Sequence, residues 1–188
     1  MNLHTVPNWL TLARVFSLPP IIILASFPGR GYGIAAAVVF SLAAITDILD
    51  GYIARRTGQV SDFGKLIDPI ADKIIVAAAF IMLVHLGRAP AWIVALIISR
   101  EFAVSGLRAY AGSRGIIIEA RFMGKTKTTL QILAIICLLV NFSLWGFPFK
   151  EVGWILLIAA FAATIWSGYE YFRDYSVSLK DTGSKDLK

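Results

Sequence analysis

Gly33-Ile34-Ala35-Ala36-Ala37-Val38-Val39-Phe40-Ser41-Leu42-Ala43-Ala44-Ile45-Thr46-Asp47-Ile48-Leu49-Asp50-Gly51-Tyr52-Ile53-Ala54 is apolar for long enough to cross a bilayer, yet it carries two aspartates near its end. A membrane-spanning helix needs roughly 20 predominantly apolar residues. Comparable runs cover approximately 8–28, 66–86, 90–110, 122–146 and 152–172, which with 33–54 makes six. Of the 188 residues, 57% are hydrophobic and 16% charged, and the mean hydropathy is +0.72. An average soluble domain is about a quarter charged. This balance predicts an all-α, polytopic membrane bundle of six transmembrane helices. The runs and their short connections leave no room for a separate soluble domain. Residues 1–174 are expected to form one six-helix transmembrane domain and 175–188 a polar, frayed tail. No basic stretch precedes the first apolar run, so that run is expected to stay in the protein and not to be cleaved as a signal peptide.

The net charge of +6 gains meaning from its distribution. Cytoplasmic loops of membrane proteins are enriched in Lys and Arg. Arg30, Arg88 and Lys150 lie on one side of the expected bundle and Arg100 lies deep in the fourth run. Every other Lys and Arg falls on the opposite side. Both termini are therefore expected in the cytoplasm, and the basic balance predicts orientation in a bilayer with no nucleic-acid partner. Phe27-Pro28-Gly29-Arg30-Gly31, Leu86-Gly87-Arg88-Ala89-Pro90 and Gly146-Phe147-Pro148 read as three outer turns, with Trp145 suited to the interface. Pro19-Pro20 is expected to kink or split the first helix. Cys137 is the single cysteine, which excludes an internal disulfide and a cysteine-based metal site; it reads as an apolar packing residue. His4 and His85 read as interfacial residues. No internal repeat is apparent, which disfavours a transporter built from inverted repeats.

Two segments carry the chemistry: Asp47-Ile48-Leu49-Asp50-Gly51-Tyr52-Ile53-Ala54-Arg55, then, after eight residues, Gly64-Lys65-Leu66-Ile67-Asp68-Pro69-Ile70-Ala71-Asp72. Residues three or four apart share a helix face. Asp47 and Asp50 therefore share one side of the second helix, with Gly51, Ala54 and Arg55; Gly64, Asp68 and Asp72 line one face of the third. The short connection predicts antiparallel neighbours whose two acidic faces meet at the cytoplasmic end. Ionisable groups within a membrane segment are costly and mark function. Four clustered carboxylates would repel one another unless divalent cations favoured the ionised form. Hard oxygen ligands select Mg²⁺, Mn²⁺ or Ca²⁺ over Zn²⁺, and four are enough to bridge two ions, as in phosphoryl transfer. Gly51, Ala54 and Gly64 fit either tight helix packing or, beside the acids, a groove for a planar base and its diphosphate, with Arg55 as a diphosphate contact. A salt-bridge cluster with Arg55, Arg56, Lys65 and Lys73 is the structural alternative for the four acids. Asp62, off the periodic pattern, reads as a solvated loop residue.

This arrangement resembles the signature of the CDP-alcohol phosphatidyltransferases, with a residue of the expected type at Asp47, Asp50, Gly51, Ala54, Arg55, Gly64, Asp68 and Asp72. The resemblance implies transfer of a phosphatidyl group from CDP-diacylglycerol to an alcohol, with CMP leaving. It implies that Asp47, Asp50, Asp68 and Asp72 coordinate two divalent ions, Mg²⁺ or Mn²⁺, that Asp72 also acts as general base, and that Gly51, Ala54, Arg55 and Gly64 line the CDP-lipid site. It further implies a homodimer. A cytoplasm-facing site in a bacterial inner membrane is the expectation, with a mitochondrial inner membrane as the other setting.

The acceptor is read from two further stretches, Ser99-Arg100-Glu101-Phe102-Ala103-Val104-Ser105-Gly106-Leu107-Arg108 and Gly124-Lys125-Thr126-Lys127-Thr128-Thr129-Leu130-Gln131. With Pro7-Asn8-Trp9-Leu10-Thr11-Leu12-Ala13-Arg14, they resemble the branch of the family that uses glycerol 3-phosphate. A phosphate needs Lys or Arg donors. Arg100 lies too deep for an ordinary interfacial anchor, and Arg108 is two turns further on a similar face. Some of Arg100, Arg108, Lys125 and Lys127 are expected to hold the acceptor phosphate; otherwise the lysines anchor the helix to anionic headgroups. Glu101, adjacent to Arg100, does not share its face and is not an expected partner. Inositol phosphate or phosphatidylglycerol are the alternative acceptors. A small cation transporter using the aspartates is the alternative from another class.

Overall fold

The computed structural model describes residues 16–27, 29–57, 62–113 and 122–185, with side chains described for 16–27, 29–46, 73–113 and 126–176. The described chain is all-α apart from one small hairpin. Its helices are α1 (Leu18–Ser26), α2 (Arg30–Thr57), α3 (Asp62–His85), α4 (Ala91–Ser113), α5 (Phe122–Val140) and α6 (Phe149–Lys185). Strands β1 (Ser143–Leu144) and β2 (Phe147–Pro148) pair antiparallel between α5 and α6.

The helix ends follow from local chemistry. A turn at Ser17 separates Phe16 from α1, and Pro19 and Pro20 occupy the first turn, where a missing N–H costs nothing. The prolines thus open a helix at this point. Gly87, with φ +66°, stops α3: Gly87 N donates to Val84 O at 3.0 Å and Arg88 N to Leu83 O at 2.8 Å, the paired bonds of a Schellman cap. Asn141, with φ 56°, stops α5, so that helix is shorter than the apolar run to residue 146. The chain then turns through Trp145 (φ 49°) and Gly146 (φ 82°), and left-handed conformations at both central residues suit a two-residue hairpin. At the other end, α6 continues past residue 174 to Lys185, so most of the segment expected as a frayed tail is helical.

Packing centres on α5. It lies against α6 along most of its length and also touches α2 and α3, while α1 packs on α2 and α3, and α4 on α3 and α6. Phe40, Phe80, Leu83, Ile97, Leu138 and Leu157 are fully buried in one continuous core. Small residues set the closest approaches. A Cβ at Gly33 would sit 2.6 Å from Leu139 O, and one at Gly153 would sit 2.9 Å from Leu138 Cδ2. Trp92 of α4 meets Phe161 of α6 edge-on, with ring centroids 5.6 Å apart.

Two of the expected outer turns meet the end of α5 at one end of the bundle. Gly29 and Arg30, Arg88, and Val140, Asn141 and Phe142 line a common open cavity of about 360 Å³. There Arg88 Nη1 donates to Leu138 O (3.1 Å) and Leu139 O (2.5 Å), satisfying carbonyls that a helix C-terminus leaves open. The Arg30 guanidinium lies 5.1 Å from the Phe142 ring centroid. Successive helices from α1 to α6 therefore run alternately toward and away from this end.

Large apolar side chains also cover the outside. Ile23, Leu42, Ile81, Phe102, Ile155 and Trp166, drawn from five helices, are exposed. Among the described residues, Phe149–Ser176 of α6 is long and apolar enough to cross a membrane, and shorter apolar stretches occupy Arg30–Thr46, Lys73–His85 and Thr126–Val140. Helix α4 has 23 residues but carries Arg100, Glu101 and Arg108 within its length.

Candidate active site

The signature residues lie on continuous helical backbone. Asp47, Asp50, Gly51, Ala54 and Arg55 belong to the last part of α2, and Gly64, Asp68 and Asp72 to the first part of α3. An unbroken helix gives their three- and four-residue spacings a physical meaning: on each helix the acids share a face. These segments lie at the ends of α2 and α3 remote from the Arg30–Arg88 cavity. Asp62 is the first residue of α3, not a loop residue. The side chains of the four aspartates, Gly51, Ala54, Arg55 and Gly64 lie outside the described residues, as does that of Lys125 on α5.

Arg100, Arg108 and Lys127 are described, and the fold gathers them. The Arg100 Nη1 donates to Glu101 Oε1 at 3.2 Å, and Lys127 Nζ donates to the same oxygen. One carboxylate oxygen thus joins α4 to α5. The expectation that Glu101 would not partner Arg100 is corrected here. Adjacent helical residues diverge by about 100° at the backbone, but the long arginine stem brings its guanidinium back to the glutamate. All three side chains are largely buried, with 11%, 16% and 9% exposure for Arg100, Glu101 and Lys127.

The cluster extends onto α6. Arg100 Nη2 donates to Ser167 Oγ at 2.9 Å, and the Ser167 hydroxyl lies 3.2 Å from Thr164 O. Gln131, one turn beyond Lys127 on α5, donates to Thr164 Oγ1 at 3.1 Å and also faces Glu101. Arg108 lies close enough to Arg100 for their charges to interact, and its guanidinium stands 5.4 Å from the Tyr171 ring centroid. Arg100 Nε and Tyr171 Oη are buried without a hydrogen-bond partner among the described residues. Lys73, the residue after Asp72, is within charge-interaction range of Lys127. The cationic cluster therefore lies beside the part of α3 that carries the signature acids.

Its surplus of positive charge suits a phosphate or diphosphate oxygen, and its burial strengthens such contacts relative to water. The acids have the complementary character: carboxylates carry hard oxygen atoms, the donor type that divalent cations such as Mg²⁺ take. Sequence reasoning singled out Arg100, Arg108 and Lys127, which the fold brings near one another, and passed over the contacts made by Glu101, Gln131 and Ser167. An acid next to an arginine within an apolar run was the available signal for Glu101. Gln131 and Ser167 gave none, because their roles depend on how α5 and α6 pack.

Comparisons with known proteins cover most of the chain. A model of the CDP-alcohol phosphatidyltransferase family matches residues 4–166. A Bacillus subtilis (strain 168) protein called CDP-diacylglycerol–glycerol-3-phosphate 3-phosphatidyltransferase is 43% identical, over 95% of this chain and 98% of its own length. Proteins of the same name from Rickettsia bellii (38% identical, covering 90% of this chain and 94% of the relative) and Pseudomonas fluorescens (37%, covering 97% and 96%) are similarly full-length matches. With the signature on α2 and α3 and the match running from the first residues into α6, this chain belongs to the CDP-alcohol phosphatidyltransferase family.

Proposed function

We propose that the protein transfers the phosphatidyl group of CDP-diacylglycerol to glycerol 3-phosphate, giving phosphatidylglycerophosphate and CMP in phospholipid biosynthesis. The observation that carries the choice of acceptor is the cluster next to α3 in which largely buried Arg100 and Lys127 stand with the more exposed Arg108. An acceptor bearing a phosphate has a use for these cations, and a neutral alcohol does not. The names of the relatives from Bacillus subtilis, Rickettsia bellii and Pseudomonas fluorescens favour the same acceptor.

Asp47, Asp50, Asp68 and Asp72 would hold two divalent ions, Mg²⁺ or Mn²⁺. Such ions neutralise charge on the diphosphate and the entering oxygen. The protein's own groups do the rest. Gly51, Ala54 and Gly64 leave room for the cytidine and diphosphate, with Arg55 on a diphosphate oxygen. Arg100, Arg108, Lys125 and Lys127 hold the acceptor phosphate and thereby orient its hydroxyl. The Asp72 carboxylate takes the hydroxyl proton as the oxygen bonds to phosphorus, and the bond to CMP breaks. A base in this role must lie within hydrogen-bond reach of the nucleophile.

The setting we propose is a bacterial inner membrane. The protein crosses it six times as a homodimer, with both termini and the active site on the cytoplasmic side. Exposed apolar side chains on successive helices support a lipid environment. The alternating helix directions, with two turns and the end of α5 gathered at Arg30 and Arg88, support the threading.

CMP release from the purified, detergent-solubilised protein tests the reaction. With CDP-diacylglycerol and Mg²⁺, release should require glycerol 3-phosphate and be abolished by EDTA and by Asp72→Asn. Release only with inositol phosphate or phosphatidylglycerol would keep the chemistry and overturn the acceptor. No release with any acceptor from folded, metal-bound protein would overturn the transferase reading.

A further inference from the structure

We propose that Glu101 is a positioning residue for the acceptor phosphate: it holds Arg100 and Lys127 together so that one phosphate group can engage both. This rests on the functional reading above and deepens it. Arg100 and Lys127 come from different helices, carry like charges and are largely buried. Left to themselves they would repel, and each long side chain has many rotamers. Glu101 Oε1 accepts from both, which offsets the repulsion and pins the two heads side by side. A bidentate or convergent phosphate contact requires that convergence.

The α6 surface completes the clamp. Ser167 Oγ accepts from Arg100 Nη2 at 2.9 Å, so the carboxylate and the hydroxyl hold the two ends of the guanidinium fork. Gly168 lies under the stem: a Cβ there would come 3.1 Å from Arg100 Nε and 3.2 Å from its Cγ. Each Nη of a guanidinium carries two N–H groups, so these contacts leave each with a further donor. Glu101 is thus assigned no contact with the reacting atoms; it acts through the cations.

A sign separates this role from simple charge balance. If Glu101 only diluted the positive charge, Glu101→Gln would make the pocket more cationic and lower the KM for glycerol 3-phosphate. Positioning predicts the opposite, because the two cations separate once the carboxylate is gone. The experiment is steady-state kinetics of the full-length protein in detergent with Mg²⁺, varying each substrate in turn. Glu101→Gln should raise the glycerol 3-phosphate KM about tenfold or more while leaving the CDP-diacylglycerol KM within about twofold. Glu101→Asp, which keeps the charge on a shorter stem, should recover part of the loss.

Arg100→Gln and Lys127→Gln distinguish the two layers of the argument. If both raise the acceptor KM but Glu101→Gln lowers it or leaves it unchanged, the cation site stands and the positioning role is overturned. If none of the three changes acts selectively on the acceptor KM, the acceptor-site reading fails and the positioning role fails with it. Should Glu101→Gln not fold, Gly168→Ala moves the Arg100 stem without changing any charge. It should raise the acceptor KM in the same selective way, and an unchanged KM in folded Gly168→Ala overturns the clamp.

Discussion

Gly33 has space for a hydrogen and little else. The Cβ of an alanine there would fall 2.6 Å from the Leu139 carbonyl oxygen, a backbone atom that no side-chain rotation can move aside. Gly33→Ala should force α2 and α5 apart and destabilise the protein by about 1–3 kcal/mol, as overpacking commonly does. Gly106, midway along α4, has nothing within 4 Å of its added Cβ. Gly106→Ala should leave stability unchanged or raise it by up to about 1 kcal/mol, the cost of glycine in a helix interior. Thermal unfolding in one detergent reads both, and a lower midpoint for Gly106→Ala than for Gly33→Ala would contradict the packing. Residue chemistry was legible where it depended on spacing along one helix. Arg100 and Arg108, read as sharing one side of a helix, do lie close enough for their charges to interact. Glu101 was missed because side-chain length overcame backbone direction, and the closeness of Gly33 to Leu139 was hidden because it depends on a partner over a hundred positions away.

At the scale of elements, the apolar runs located the helices, and punctuation located their ends only in part. Gly87 ends α3 within the expected turn. Asn141 ends α5 earlier than composition implied, because the segment after it stays apolar while adopting a hairpin. The polar end of α6 looked unstructured by composition, yet its backbone continues as helix to Lys185, since polar residues are no barrier to a helix that is already nucleated. The α5–α6 contact also contains a polar link, Gln131 to Thr164, both fully or nearly fully buried. Such interhelical bonds are worth about 0.6 kcal/mol on average and at most about 1.7 in membrane double-mutant cycles. A cycle of Gln131→Leu, Thr164→Val and the double variant should give a coupling in that range. A coupling of zero would mean that the two side chains find equivalent partners elsewhere.

Across the whole molecule, the helix lengths bear on the membrane setting. Helix α6 has 37 residues, so at about 1.5 Å per residue it is about 55 Å long, against a hydrocarbon thickness of about 30 Å. Its apolar run gives way to polar residues from Arg173 onward while the helix continues to Lys185, a helical end suited to water. The opposite end carries Trp145, which is 98% exposed in the turn of the hairpin. If both termini are cytoplasmic, Trp145 and the Arg30–Arg88 cavity face outward and residue 180 faces inward. Cys137 is buried, and replacing it with serine gives a background for single reporters. In intact bacterial cells whose outer membrane has been made permeable, Trp145→Cys should react with a membrane-impermeant maleimide. Lys180→Cys should react only after the inner membrane is opened. The reverse pattern would invert the topology, carrying the aspartate-bearing ends of α2 and α3 to the outer face and removing the cytoplasmic source of glycerol 3-phosphate from the proposed reaction. Equal labelling of both positions in cells with a verified intact inner membrane would instead contradict a single orientation, and with it the reading of the one-sided distribution of lysine and arginine.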